Sequence, residues 1–264
     1  MTFVNLPLRY IARTPDYRTR FVSRGLHPEL GFDALILDTQ TALWHADTAR
    51  FFHDHGRTCA VHLPFFDLHP GSFDRLVRET ARTRLLQAVD AARVYKPHHY
   101  IAHLDYNSLI AGRHPDLWLE HTIGTWEQVL AHIGTTPLFL ENVYERQPEQ
   151  HVQVLERLGK RAGACFDIGH WHSFGKGHAQ QNLTDWLLAL EPFPLHLHLH
   201  DNDGRQDQHL GLGQGTIPLD QLWAHLVGRT LPVTATFEPH SEKDFLATCR
   251  YLAAQQPGLT LEAS

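Results

Sequence analysis

The chain has 264 residues, of which 42% are hydrophobic, and this is enough for one large α/β domain or two small ones. Its formal net charge of -6, without a cluster of Lys or Arg, argues against nucleic acid as the main partner. The 3 cysteines are odd in number and widely spaced, which argues against both a disulfide framework and a thiolate zinc site.

The N-terminal segment MTFVNLPLRYIARTPDYRTR brings charged residues among its apolar ones too early for a signal peptide. Nowhere in the chain do about 18 apolar residues run together, as a membrane-spanning helix would need. We therefore expect a cytoplasmic protein with no membrane segment. The unusual feature of the composition is its 22 histidines, whose meaning depends on where they fall.

Short apolar or β-branched runs alternate along the chain with segments of helical spacing. The runs are FVNLPL from Phe3, FDALILD from Phe32, TCAVHLP from Thr58, HHYIAHL from His98, TPLFLEN from Thr136, AGACFDI from Ala162, PLHLHLHD from Pro194 and PVTATFEP from Pro232. Eight strand-helix units in this length predict a (β/α)₈ TIM barrel that forms a single domain over residues 1–264. An open doubly wound sheet is the alternative, but no glycine-rich phosphate loop follows an early strand.

Metal-competent side chains stand at or near the carboxyl ends of six consecutive predicted strands. They are His62, His103, Glu141, Asp167, His198 and Glu238. Separately, each has an ordinary explanation as a core histidine, a helix cap or a rim residue. In a barrel, however, these strand ends converge on one face, where active sites are built. Six in succession predict a metal site, with His170, Asp207 and His209 as further candidates just beyond strand ends.

The nature of the side chains constrains the metal. Imidazoles and carboxylates without a thiolate suit divalent Zn, Mn, Fe or Co. We expect two or three such ions as cofactors.

The stretch LHLHLHDNDGRQDQHLGLGQG, residues 195 to 215, shows a period of two that is typical of a strand with two different faces. A half-exposed edge strand with solvated histidines would also fit this stretch alone. Within the barrel, His198 becomes a ligand and His196 a packed core or supporting histidine. His200 and Arg205 become candidates for contact with substrate.

Six segments resemble successive strand-end motifs of the xylose-isomerase-like TIM barrels, which include family-2 apurinic/apyrimidinic endonucleases and sugar isomerases and epimerases. The segments are HLPFFDLHPG, IAHL, LENVYE, CFDIGHWHSF, HLHDNDGRQDQHLGLGQG and TFEPH. The resemblance to the endonucleases implies a first ion on His62, His103 and Glu141. It implies a second on Asp167, His198 and Glu238, bridged by Glu141, and a third on His170, Asp207 and His209.

The chain departs from the endonuclease pattern in one motif. HLD follows the fourth strand where the endonucleases carry a His-Pro-Gly turn, and no basic or aromatic loop for gripping bent DNA is apparent. A narrower resemblance is to cobamide-remodelling phosphodiesterases, which open the phosphodiester of the nucleotide loop. It rests on PFFDLHPGSFDRLVRE, LENVYERQPE, HLHDNDGRQDQHLGLGQG and EPHSEKD.

Charge balance favours phosphodiester chemistry over sugar chemistry. Three divalent ions with four carboxylates leave a net positive site, which suits a small anionic substrate. We therefore predict a phosphodiesterase that hydrolyses a small phosphodiester through a metal-bound hydroxide, with catalysis dependent on Glu141, His198 and Glu238.

Two alternatives remain. One is a sugar or sugar phosphate isomerase or epimerase with a single metal, whose site would be net negative and whose acid and base would be Glu141 and Glu238. The other is a metal- or sugar-binding barrel without turnover, which would have every coordination position of the metal filled by protein.

Overall fold

A computed structural model of the chain describes residues 1–229, 231 and 233–255. The described residues contain eight strands, which form a closed barrel in chain order from β1 to β8. They are β1 Thr2–Pro7, β2 Pro28–Gly31, β3 Ala60–His62, β4 Tyr100–His103, β5 Leu138–Glu141, β6 Ala162–Asp167, β7 Leu195–Leu199 and β8 Val233–Phe237. The predicted (β/α)₈ barrel is confirmed, and the closed order excludes an open doubly wound sheet.

Helices occupy the segments between the strands. They are α1 Leu8–Arg13, α2 Asp16–Ser23, α3 Ala34–Thr39, α4 Ala42–Asp54, α5 Arg75–Ala92, α6 Ser108–Ala111, α7 Pro115–Ile133, α8 Glu149–Leu158, α9 Ile168–His172, α10 Gly177–Gln180, α11 Leu183–Ala189, α12 Leu219–Val227 and α13 Glu242–Gln255. No helix in the described part of the chain is both long enough and apolar enough to cross a bilayer.

The chain forms two compact units, one of which comprises Phe3–His103 and Asp116–Leu138. Strands β1 to β4 of this unit pair in parallel, with Gly31 opposite His62 and His62 opposite Ile101. His62 and His103 are thus the last residues of two neighbouring strands.

The predicted second strand, FDALILD from Phe32, is wrong. Ala34–Thr39 is helix α3, and the Asp33 side chain caps it by accepting the N–H of Ile36 at 2.9 Å. The strand is the preceding PELG, Pro28–Gly31. A short apolar run satisfies the patterns of both a buried strand and a helix, and here the capping aspartate decides the outcome.

The other unit contains residues 104–115, 139–229, 231 and 233–255, with strands β5 to β8. Parallel pairing places Asp167 of β6 opposite His198 of β7, and Leu199 of β7 opposite Phe237 of β8. The strand predicted from Pro232 is β8, although Pro232 itself lies outside the described residues.

Every residue of β7 is buried, so the edge-strand interpretation of this stretch is wrong. His196 is accommodated in the core by two hydroxyls: Thr234 Oγ1 lies 2.7 Å from its Nδ1, and Thr236 Oγ1 lies 3.0 Å from its Nε2. Its predicted role as a packed core histidine fits this environment, because both polar atoms of the ring have partners.

Candidate metal centre

Four predicted ligands form a buried group, here called the central cluster: Glu141, Asp167, His198 and Glu238. Glu141 ends β5, Asp167 ends β6, His198 is the fourth residue of β7 and Glu238 directly follows β8. Parallel strands bring these positions together because their carboxyl ends share one edge of the sheet.

The three carboxylates of the central cluster surround one imidazole. His198 Nδ1 lies 3.2 Å from Glu141 Oε1, 3.5 Å from Glu238 Oε1 and 3.8 Å from Asp167 Oδ2. Burial of carboxylates at such short range is unfavourable without compensating positive charge. Bound cations would supply that charge.

A second group, here called the outer cluster, contains His170, Asp207 and His209. Asp207 Oδ2 lies 2.9 Å from His209 Nε2 and 3.5 Å from His170 Nε2. His170 belongs to α9, whereas Asp207 and His209 belong to the loop after β7. The structure therefore brings together the three residues that the sequence suggested as an additional ligand set.

Main-chain carbonyls orient both histidines of the outer cluster. His209 Nδ1 lies 3.0 Å from the carbonyl oxygen of Glu238, and His170 Nδ1 lies 3.1 Å from that of Asn142. His170 Nδ1 also lies 3.1 Å from Glu141 Oε1. Because a carbonyl oxygen only accepts, Nδ1 must be the donor in each bond. A neutral ring then keeps its lone pair on Nε2, which faces Asp207, and this is the usual arrangement of a metal-binding histidine.

The electrostatics of the outer cluster also favour cations. Burial opposes protonation of His209, but Asp207 and Glu238 outweigh it and raise the pKa of His209 to about 9. Burial likewise opposes protonation of His170, yet Asp167, Asp207 and Glu141 raise its pKa well above the ordinary value. The carboxylates thus stabilise positive charge at these positions, whether it is carried by a proton or by a divalent ion.

His62 and His103 form a pair of rings in the unit that contains strands β1 to β4. Their ring centroids lie 5.1 Å apart with the planes nearly perpendicular, at 86°. His62 Nδ1 lies 2.8 Å from the carbonyl oxygen of Leu63, so Nδ1 is the donor and a neutral ring carries its lone pair on Nε2, as in His170. Phe65 stacks on His103 with centroids 4.1 Å apart.

The two predicted substrate contacts have different environments. His200 is buried, and its Nε2 lies 3.2 Å from Asp167 Oδ1 and 3.6 Å from Asp207 Oδ1. It therefore joins the central and outer clusters. Arg205 is exposed in the loop after β7, where its main-chain N–H donates to Asp203 Oδ1 at 2.9 Å.

A stack of three imidazoles leads outward from His200. The rings of His200 and His209 are 3.8 Å apart and nearly parallel, at 8°, and those of His209 and His240 are 3.8 Å apart at 9°. Burial and the neighbouring histidines lower the pKa of His240 to about 4. Sequence reasoning did not single out His240, although it stands only two residues after Glu238 in the motif TFEPH.

Asp201 is a second functional candidate that sequence reasoning left without a role. Its Oδ1 accepts the N–H groups of Asn202 and Ile217, at 2.9 and 3.2 Å, and its Oδ2 accepts that of Gly213 at 3.0 Å. Its own main chain pairs with Leu210 in both directions. One buried carboxylate thus holds both ends of the loop that carries Asp207 and His209.

The comparisons with known proteins agree with this architecture. The family model described as Xylose isomerase-like TIM barrel matches residues 28–255. The solved structure of TTHB071 protein from Thermus thermophilus, soaked with ZnCl2, is 25% identical, with a TM-score of 0.74 over 98% of this chain and 99% of that one.

Two further structures are similar in fold. A D-tagatose 3-epimerase-like protein is 18% identical, with a TM-score of 0.76 and 96% of each chain covered. Endonuclease IV from Thermus thermophilus is 16% identical, with a TM-score of 0.66 over 98% of this chain and 99% of that one. None of the curated proteins compared with the chain matches it. From its strand order, its strand-end residues and the match over residues 28–255, the chain belongs to the xylose isomerase-like TIM-barrel family.

Proposed function

We propose that the chain is a divalent-metal-dependent phosphodiesterase that hydrolyses a small phosphodiester. The observation that carries this proposal is the outer cluster, in which Asp207 Oδ2 faces the Nε2 atoms of His209 and His170 at 2.9 and 3.5 Å. A site with one metal in the central cluster gives no ligand role to Asp207 and His209. A site with several metals uses both.

The donor set fits divalent Zn, Mn, Fe or Co, since every ligand is an imidazole or a carboxylate. We assign the ligands according to the resemblance to the endonucleases. The central cluster would hold one ion on Glu141, Asp167, His198 and Glu238, and the outer cluster would hold another on His170, Asp207 and His209. His62 and His103 remain predicted ligands of a further ion.

Bound divalent ions would lower the pKa of water toward neutrality and offset the charge of a phosphodiester. The chain's own contribution is positioning. The carbonyl oxygens of Asn142 and Glu238 hold His170 and His209, and Asp201 holds the loop that brings Asp207 to them. His200, buried beside Asp167 and Asp207, and Arg205, exposed in the same loop, are the proposed contacts to the anionic substrate.

The specific substrate that we propose is the nucleotide loop of a cobamide, through the resemblance of the LENVYERQPE and EPHSEKD segments to the cobamide-remodelling phosphodiesterases. A site filled with three divalent ions would be net positive and would attract a small anion, whereas the net charge of -6 of the whole chain disfavours duplex DNA.

A sugar isomerase or epimerase with one metal is the second candidate. It is favoured by the positions of Glu141 and Glu238. Their Oε1 atoms lie 3.2 and 3.5 Å from the same atom, His198 Nδ1, so the two carboxylates border one site, as an acid and a base for isomerisation would. The similarity to the D-tagatose 3-epimerase-like protein concerns the fold.

Metal content and a substrate panel separate the two candidates. Protein purified without chelator or histidine tag should contain at least about two divalent ions per chain, as measured by inductively coupled plasma mass spectrometry. It should cleave bis(p-nitrophenyl) phosphate or a cobamide and leave abasic duplex DNA intact at physiological salt. One ion per chain after incubation with excess Zn or Mn, together with epimerisation of a free ketose, would establish the isomerase instead.

A further inference from the structure

Two exposed aromatic side chains lie beside the outer cluster. Tyr144 is 45% exposed and Phe174 is 36% exposed, and their ring centroids are 5.5 Å apart with 44° between the planes. The Phe174 ring stacks in turn on His170, at 5.5 Å and 26°. A continuous series of rings therefore leads from the outer cluster to the protein surface.

The main chain that carries both rings is held in place. Beside Tyr144, the buried carboxylate of Glu145 accepts the N–H of Tyr106 at 2.9 Å. Beside Phe174, a Cβ on Gly175 would lie only 2.7 Å from the carbonyl oxygen of Glu145, so the two loops touch main chain to main chain. The exposure of the rings is therefore set by packed loops.

Asn182 connects the loop that carries Tyr144 to α9, the helix that ends shortly before Phe174. Its Nδ2 donates to the carbonyl oxygen of Arg146 at 3.1 Å, and its Oδ1 accepts the indole N–H of Trp171 at 3.0 Å. A surface that is ordered before it meets a ligand loses little conformational entropy on binding. This is the property expected of a binding wall.

We propose that Tyr144 and Phe174 form a subsite for a planar aromatic or heteroaromatic substituent of the anionic substrate. The inference rests on the proposed function, because the anion must be held at the metal centre for its substituent to reach Phe174. Two polar clusters would bind the charged part of the substrate, whereas these rings present apolar faces. Aromatic faces stack on flat rings of many kinds and do not select for particular hydrogen-bonding groups.

Binding of two matched phosphonate monoesters tests the subsite. Phenyl methylphosphonate and cyclohexyl methylphosphonate carry the same single charge and rings of similar size, and they differ in planarity. We expect the metal-loaded protein to bind the phenyl ester about tenfold more tightly, measured by calorimetry. Tyr144→Ala should raise the Kd of the phenyl ester about tenfold and leave that of the cyclohexyl ester within about twofold.

Phe174→Leu is the second variant, because it keeps an apolar side chain against His170 and removes the flat ring. It should also reduce the preference for the phenyl ester. Leu188→Ala is the matched control, since Leu188 is a 55% exposed apolar residue of α11 with no place in the subsite, and it should keep the preference. Metal content measured on every variant shows that the ions are retained.

The outcomes separate the subsite from the function on which it rests. Equal binding of both esters by the unaltered protein, or an unchanged preference in Tyr144→Ala and Phe174→Leu, would overturn the subsite and leave the phosphodiesterase standing. Failure of both esters to bind, together with no cleavage of any phosphodiester, would overturn the proposed function and the subsite with it.

Discussion

Asp207 and His209 are two residues apart in the chain, and their side chains converge, with Oδ2 and Nε2 2.9 Å apart. His209 reaches this position with a φ of +49°, a left-handed conformation that is unusual for a residue other than glycine. The strain is consistent with a loop whose shape serves the placement of these two side chains.

Replacement of His209 tests the third ion. We expect His209→Ala to remove one metal per chain and to leave the ions of the central cluster bound. Phosphodiester turnover should fall about 100- to 1,000-fold, as is typical when a group that stabilises charge in the transition state is lost. His225→Ala, a histidine of α12 outside both clusters, is the control. Unchanged metal content with near-normal turnover in His209→Ala would end the assignment of three ions.

Replacement of Asp201 tests whether its carboxylate, here called the anchor, holds the loop that carries Asp207 and His209. Asp201→Asn puts an amide group against main-chain N–H groups and should cost about 1–3 kcal/mol of unfolding free energy. Because the loop carries Asp207 and His209, the third ion should also bind more weakly. Asp203→Asn, on an exposed aspartate of the same loop, should have a much smaller effect on both measurements. Equal effects of the two variants on metal affinity would show that Asp201 is not the anchor.

Two glycine-to-alanine substitutions should change the free energy of unfolding in opposite directions. A Cβ on Gly215 would lie 2.3 Å from Asp201 Oδ1 and 2.4 Å from the carbonyl oxygen of Asn202, so Gly215→Ala should destabilise the fold by about 1–3 kcal/mol. A Cβ on Gly124, in α7, meets nothing within 4 Å, so Gly124→Ala should stabilise by about 0.5–1 kcal/mol. Urea denaturation measures both, and stabilisation by Gly215→Ala would contradict the close packing of the loop.

The pH dependence of stability should contain a contribution from His45. Its ring is buried against Phe32, its Nδ1 lies 2.9 Å from the Tyr95 hydroxyl, and burial lowers its pKa below 6.5. The unfolded chain therefore binds a proton near pH 6.5 that the folded chain does not. The contribution of neutral His45 is fully present above this pH and is lost as pH falls toward the folded pKa.

The variant His45→Gln isolates this contribution. The unfolding free energy of the variant should fall less steeply with acid than that of the unaltered protein, by at most about 1.4 kcal/mol per pH unit. Urea titrations at intervals between about pH 5 and 8 measure the difference. Parallel curves over the acidic part of this range would show that His45 is not kept neutral by burial.

The barrel and most of its polar strand ends were predictable because a single repeated pattern encodes them. Strands β3 to β6 are apolar runs that each stop at a polar residue, and β5, LFLE, is an example that ends at Glu141. Strand β2 was missed because PELG has no such pattern, and its identity as a strand depends on pairing with its neighbours β1 and β3. Local sequence does not contain that information.

The supporting residues of the candidate site were harder to predict than its ligand candidates. The burial of His200 beside Asp167 and Asp207, and the position of His240 on the ring of His209, depend on how three loops meet. In the sequence, Asp201 is one of several aspartates in LHLHLHDNDGRQDQHLGLGQG. Its role depends on hydrogen bonds from the main-chain N–H groups of Gly213 and Ile217, which only the folded loop brings to its carboxylate.

The bonds that orient His62, His170 and His209 end on carbonyl oxygens of the main chain, those of Leu63, Asn142 and Glu238. Every amino acid supplies that oxygen, so mutation of Leu63 or Asn142 cannot remove the acceptor as long as the backbone keeps its path. Even Glu238→Gln, which would neutralise a carboxylate of the central cluster, leaves the acceptor for His209 in place. During evolution, the residues that supply these carbonyl oxygens can therefore change in identity while the imidazole rings keep their orientation.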